Sequence, residues 1–121
     1  MRDGRRRLRV ALLAALLGLA AGRAEAADVY VKLHSMTVEM WDAAGLFHQI
    51  IIDLTVAFPE QSKLNKAVVY KIQQALQSLP YEELVKPSGA ATIKATAMDI
   101  ISKEPGGEQA EDVLIQRLMF R

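Results

Sequence analysis

Between Phe47 and Leu79 the hydrophobic pattern changes its period once, and that change dictates the kind of core this chain can build. Ile50, Ile52, Leu54, Val56 and Phe58 alternate with Gln49, Asp53, Thr55 and Ala57, the two-residue repeat of a strand buried on one side. Ile51 interrupts the polar set, so partial cover on the second side is expected as well. Pro59 has no N–H to offer a ladder and closes the strand. Leu64, Val68, Ile72, Ala75, Leu76 and Leu79 then recur at helical spacing, with Lys63, Lys66, Lys71, Gln73, Gln74 and Gln77 opposite. A strand over 47–58 therefore runs into an amphipathic helix over 62–79, capped by Ser62 and closed by Pro80.

The first 26 residues have a different character. Five arginines fall within Met1–Arg9, Val10–Ala21 (VALLAALLGLAA) is free of charge, and Ala24-Glu25-Ala26 has the small-x-small form of a cleavage site. This is the pattern of a secretory signal peptide. Twelve apolar residues fall short of the roughly 20 that a spanning helix needs, so cleavage after Ala26 is expected, with retention as a short inner-membrane anchor through residues 10–21 the alternative. The segment holds six of the 15 basic residues and two of the 14 acidic ones, which leaves nine against twelve, a net charge of −3, for residues 27–121. The basicity of the whole chain thus belongs to its export segment, and a nucleic-acid surface, which needs a basic stripe, is excluded. Cysteine is absent, which rules out disulfides, thiol nucleophiles and cysteine-ligated zinc.

Residues 27–121 read as one domain. Asp28–Trp41 (DVYVKLHSMTVEMW) is a strand with a bulge or break near Ser35, and Asp42-Ala43-Ala44-Gly45 turns it into the strand Phe47–Phe58 as a long hairpin. Tyr81–Val85 forms a short helical turn. Ser88 caps a second, alanine-rich helix over Gly89–Lys103, whose inward set is Ala90, Ile93, Ala97, Ile100 and Ile101. Glu104–Glu108 is a loop. Glu111–Phe120 (EDVLIQRLMF) is a last strand apolar enough on both faces for a central position. The fold class is α+β: a small single domain with an antiparallel sheet of about three strands packed with two helices.

No residue announces a chemistry. His34 and His48 lie fourteen apart on neighbouring strands; a hairpin turning near Ala43 brings them within a few residues of facing one another, which leaves a metal pair conceivable and surface histidines the simpler expectation. Tyr81-Glu82-Glu83 and Glu108, Glu111 and Asp112 are acids in polar stretches, read as solvated charge rather than as a catalytic pair. Ser35, Ser62, Ser78, Ser88 and Ser102 lack a nucleophile-elbow context, and Gly106-Gly107 lacks the strand-to-helix setting of a phosphate loop. Tyr30, Trp41 and Phe47 flank the hairpin turn as one aromatic patch. The expectation is a non-enzymatic protein with no catalytic, cofactor-binding or metal residues.

YVKLHSMTVEM, FHQIIIDLTVAF, KLNKAVVYKIQQALQSLPYEEL and the closing VLIQRLMF, taken in this order, make residues 29–120 resemble the FliL family of flagellar basal-body-associated proteins. Members of that family keep a membrane-spanning N-terminal helix, where this chain has a twelve-residue apolar run, and Glu39-Met40 stands where the family often has an asparagine. The resemblance implies an exported α+β domain on the periplasmic face of the inner membrane. It also implies flagellar stator and basal-body proteins as partners, self-association, and a role in motility. A soluble periplasmic small-ligand-binding or assembly module unrelated to flagella is the alternative. The contact surfaces expected from the residues are the sheet edges and, first, the helix Gly89–Lys103.

Overall fold

The computed structural model describes residues 28–121; the segment 1–26, read above as a signal peptide or anchor, lies outside the described residues. Its elements are β1 (Val29–Lys32), β2 (Met36–Trp41), β3 (Phe47–Phe58), α1 (Ala67–Gln77), α2 (Tyr81–Leu84), α3 (Gly89–Ser102) and β4 (Asp112–Phe120). β3 is the axis of the molecule, because every other strand pairs with it, antiparallel. β1 and β2 follow one another along one edge of β3. β1 matches Lys32 with Thr55, and β2 matches Met36 with Ile52. The register slips by one residue between them, which is the bulge expected near Ser35. That slip keeps one face inward throughout: Val29, Val31 and Leu33 before it, and Met36, Val38 and Met40 after it.

β4 takes the opposite edge of β3, which corrects the central position expected for it. Val113 is fully buried, Leu114, Ile115 and Leu118 are half-buried and Met119 and Phe120 exposed, and among the described residues no strand pairs its second edge. Its register also slips, between Ile115 and Arg117, leaving Gln116 unpaired opposite the Asp53–Leu54 step, and a bulge of this kind blunts an open edge.

Both long helices lie on one side of the sheet. Val68, Ile72 and Leu76 of α1 and Ile93, Ala97 and Ile101 of α3 are fully buried against Val38, Ile50, Ile52, Leu54, Val56 and Phe58. The outer face carries no helix. Thr55 and Ala57 are nevertheless buried there, flanked in the ladder by Tyr30, Lys32, Leu114 and Asp112.

Three local expectations need correction. α1 begins at Ala67 rather than at Ser62. Asn65 accepts from the Ala67 amide through Oδ1 at 2.8 Å and from the Val68 amide through its carbonyl at 3.0 Å, so the Asx turn starts the helix five residues late. Ser88 occupies the N-cap of α3 without a side-chain bond to an amide; its carbonyl instead accepts from the Thr92 N–H and hydroxyl. Gln73 and Gln77 do not simply face water. Their Nε2 groups donate to the Thr37 and Glu39 carbonyls at 2.8 and 3.2 Å, occupying acceptors of β2 at a sheet edge.

Candidate interaction surface at the hairpin end

The β2–β3 turn is held by one carboxylate. Asp42 Oδ1 accepts from the amides of Ala44 and Leu46, both at 2.9 Å, and the Gly45 amide donates to the Asp42 carbonyl at 2.9 Å. The Asp42 amide donates to the Leu46 carbonyl at 2.9 Å, and the Ala43 amide to Glu82 Oε2 of α2 at 2.7 Å. Every N–H from Asp42 to Leu46 is thus satisfied inside the molecule. Gly45 supplies the φ of 85° that closes the turn.

Asp42 Oδ2 sits 2.8 Å from His48 Nε2. The Leu46 amide first, and the His48 ring second, hold the Asp42 carboxyl below the usual aspartate range. His48 Nδ1 lies 3.2 Å from the carbonyl of Arg121. Both partners of the ring, the Asp42 carboxylate and the Arg121 carbonyl, are acceptors. The ring stacks on Tyr81 with centroids 4.0 Å apart, and Tyr81 meets Phe120 edge-on at 6.5 Å. His48 therefore ties the hairpin turn, α2 and the end of β4 into one assembly.

Around this polar knot the surface is apolar. Trp41, Leu46 and Phe47 are 65, 62 and 46 % exposed, and Trp41 packs against Phe47 at a centroid distance of 4.8 Å. Val85, Met119 and Phe120, also exposed, belong to elements that meet at the same end. Of the expected aromatic patch only Trp41 and Phe47 come together; Tyr30 pairs with Ala57, at the far end of β3.

The histidines are not brought together. His48 stands opposite Met40, whereas His34 lies in the bulge before β2, about six positions further along β3, or roughly 20 Å. The acids are also dispersed. Glu82 braces the turn, Glu83 pairs with Lys86 at 2.9 Å, Glu108 accepts from the Gly106 amide, and Asp112 lies 3.8 Å from Lys94. A hydrogen bond shared with Asp28 raises the carboxyl of Glu111 above its usual range. At the bulge, the Ser35 hydroxyl, ahead of Arg117, holds the Asp53 carboxyl low, and Arg117 Nε bonds it at 2.9 Å. Of the other serines, Ser78 and Ser102 donate to the carbonyls of Ala75 and Asp99.

A cavity of about 190 Å³ between the bulge and the start of α1 is lined by Val31, Leu33, His34, Leu64, Asn65 and Val68, among others. It is smaller than the roughly 300–1,000 Å³ of typical ligand sites, whereas a more open cleft of about 430 Å³ at the bulge, lined by Lys32, Leu33, His34, Ser35, Asp53 and Arg117, falls within that range. The alanine-rich α3 turns Ile93, Ala97 and Ile101 inward and presents Ala91, Ala95 and Asp99 to solvent. Among the described residues no helix is long and apolar enough to cross a membrane. What the hairpin end offers chemically is a contact surface.

Sequence reasoning located Asp42 only as a turn residue and His48 only as one of two histidines. The local signal that joins them was available: an aspartate at the first position of a hairpin turn six residues before a histidine on the returning strand. Glu82 and Arg121 carried no such signal, being 39 and 73 residues from their partners. Neither a known protein-family model nor a curated protein matches this sequence.

Proposed function

We propose that this chain is a non-enzymatic accessory protein of the flagellar motor. It is exported to the periplasmic face of the inner membrane, where it associates with stator or basal-body proteins and supports motility. The observation that carries an assembly role is the hairpin end, where Trp41, Leu46 and Phe47 stand exposed over a turn whose amides are already satisfied. Such a surface can be covered by another molecule without stranding backbone donors. The flagellar reading is supported by the resemblance of residues 29–120 in pattern and order. The sheet-and-helix domain is of the α+β class that the resemblance implies.

The test is deletion of the gene in its native host, scored by swimming speed and swarming diameter, with complementation by wild type and by a Trp41→Ala/Phe47→Ala variant. A motility defect restored by wild type and not by the variant supports the reading. Undiminished swimming and swarming in the deletion strain sink the flagellar assignment. A defect restored equally by both chains moves the contact surface elsewhere, with the outward face of α3 next in line.

A further inference from the structure

We infer that the β2–β3 hairpin end is a membrane-interface wedge: Trp41, Leu46 and Phe47 enter the headgroup boundary of a lipid bilayer, with the Asp42–His48 knot beneath them. This inference does not depend on the flagellar reading.

Three observations select a bilayer over a second protein. The first is hydrogen bonding. At the headgroup boundary a turn's carbonyls can still accept from water and headgroups, so its N–H groups are the ones the protein must satisfy, and all five amides from Asp42 to Leu46 are satisfied. The second is charge. Between Trp41 and Phe47 the one ionisable residue is Asp42, whose carboxylate is turned inward onto His48 and two amides, and the carboxylate that α2 brings to the turn, Glu82, is bonded to the Ala43 amide. What remains outward is Trp41, Ala43, Ala44, Gly45, Leu46 and Phe47, with the amphipathic indole suited to the boundary between headgroups and chains.

The third is area. The exposed fractions of Trp41, Leu46 and Phe47 amount to roughly 300–400 Å², given that a whole aromatic side chain covers about 150–250 Å². A stable protein interface needs about 800 Å² from each partner. Alone the tip supplies less than half of that, so a protein partner would have to engage surface beyond it, whereas three side chains suffice to enter a fluid headgroup boundary.

The length of chain outside the described residues adds a geometric consequence. Seven residues, 22–28, separate the apolar run Val10–Ala21 from β1, a reach of at most about 25 Å. Val29 pairs with Phe58, at the opposite end of the 12-residue β3 from the hairpin, roughly 37 Å away along the strand. Under the alternative in which residues 10–21 are retained as an anchor, a chain held in one bilayer by both ends lies obliquely, with β3 nearer the membrane plane than its normal; after cleavage at Ala26 the tip is the one attachment and sets no such tilt.

Trp41 is the sole tryptophan of the chain and so reports on the tip directly. The full-length protein is reconstituted into vesicles of phosphatidylcholine and phosphatidylglycerol in equal proportion, with and without bromine on the acyl chains, and bound protein is isolated by flotation. The expected result is about a twofold loss of Trp41 emission with brominated lipid, a blue shift, and reduced quenching by aqueous acrylamide. Leu46→Glu, at an exposed position that the core does not use, is expected to abolish all three while its far-UV circular dichroism and thermal midpoint stay unchanged. Three results would overturn the inference: failure of the chain to float with vesicles, flotation with Trp41 unquenched by lipid bromine and open to acrylamide, or shielding from acrylamide without lipid quenching. The last of these identifies a protein contact instead.

Discussion

Replacing Gly89 by alanine separates local from tertiary control of stability in one measurement. Gly89 is the first residue of α3, and by propensity alone a glycine-to-alanine change in a helix gains about 0.5–1 kcal/mol. The structure reverses the sign. A Cβ at this position falls 1.8 Å from the carbonyl oxygen of Leu84 and 2.6 Å from its carbonyl carbon. To reach even 3.0 Å from that oxygen, the backbone of α2 or α3 must shift by about 1.2 Å. Leu84 is 1 % exposed, so moving it opens the core that it fills. Overpacking of this kind costs about 1–3 kcal/mol, and disturbed Leu84 packing adds to it. Net of the propensity gain, Gly89→Ala is expected to lose about 2 kcal/mol, or about 8–16 °C in melting temperature for a domain of this size. Urea denaturation followed by far-UV circular dichroism measures it. Ala95→Gly on the exposed face of the same helix serves as the reference and is expected to lose about 0.5–1 kcal/mol through propensity alone. A Gly89→Ala midpoint equal to or above wild type would refute the argument that α2 and α3 touch through this glycine.

The remaining expectations concern the polar ties. The Asp42 carboxyl is held below its usual range, so its charged form stabilises the fold above the unfolded pKa, and that contribution is lost as pH falls through the folded value. Wild type is thus expected to be more stable than Asp42→Asn at neutral pH, with the gap closing below about pH 4 in parallel urea titrations; a gap that is independent of pH would count against the His48 and amide contacts. Lys71→Met leaves Glu104, whose side chain is 11 % exposed, without the lysine 2.5 Å away. The expected loss is about 1–3 kcal/mol, reduced when Glu104→Leu is added in a double-mutant cycle. Gln73→Ala with Gln77→Ala removes the side chains bonded to the carbonyls of β2. The expected outcome is about 1–2 kcal/mol of lost stability and earlier aggregation on heating, read by light scattering, since an edge strand loses its cover.

What could be read from residues alone was whatever depends on near neighbours. The period of Ile50–Phe58 identified the strand and its inward set, and all five of those side chains are fully buried. The interruption at Ser35 marked the bulge, Gly45 marked the turn, and Ile93, Ala97 and Ile101 marked the buried stripe of α3. These follow from side-chain geometry along a chain, which repeats every two residues in a strand and every 3.6 in a helix.

Only the tertiary structure decided which strand is central. β3 and β4 both carry apolar residues on two faces, and periodicity cannot tell a strand covered on both sides from an edge strand that lends half-covered side chains to the rim. Asn65 competed with Ser62 for the start of α1 and won through a bond to an amide two residues away, a contest between neighbours that propensity leaves open. The hairpin end is the clearest case. Asp42 and His48 are close in sequence, but Tyr81, Glu82 and Arg121 reach them only because β3 places the turn beside α2 and the end of β4. Hydrogen bonds and ring contacts act over a few ångströms, so a partner 39 or 73 residues away leaves no trace in local pattern. The sequence determined a strand, its helix and the face each buries; the packing of distant segments made from them an apolar tip whose amides are already satisfied.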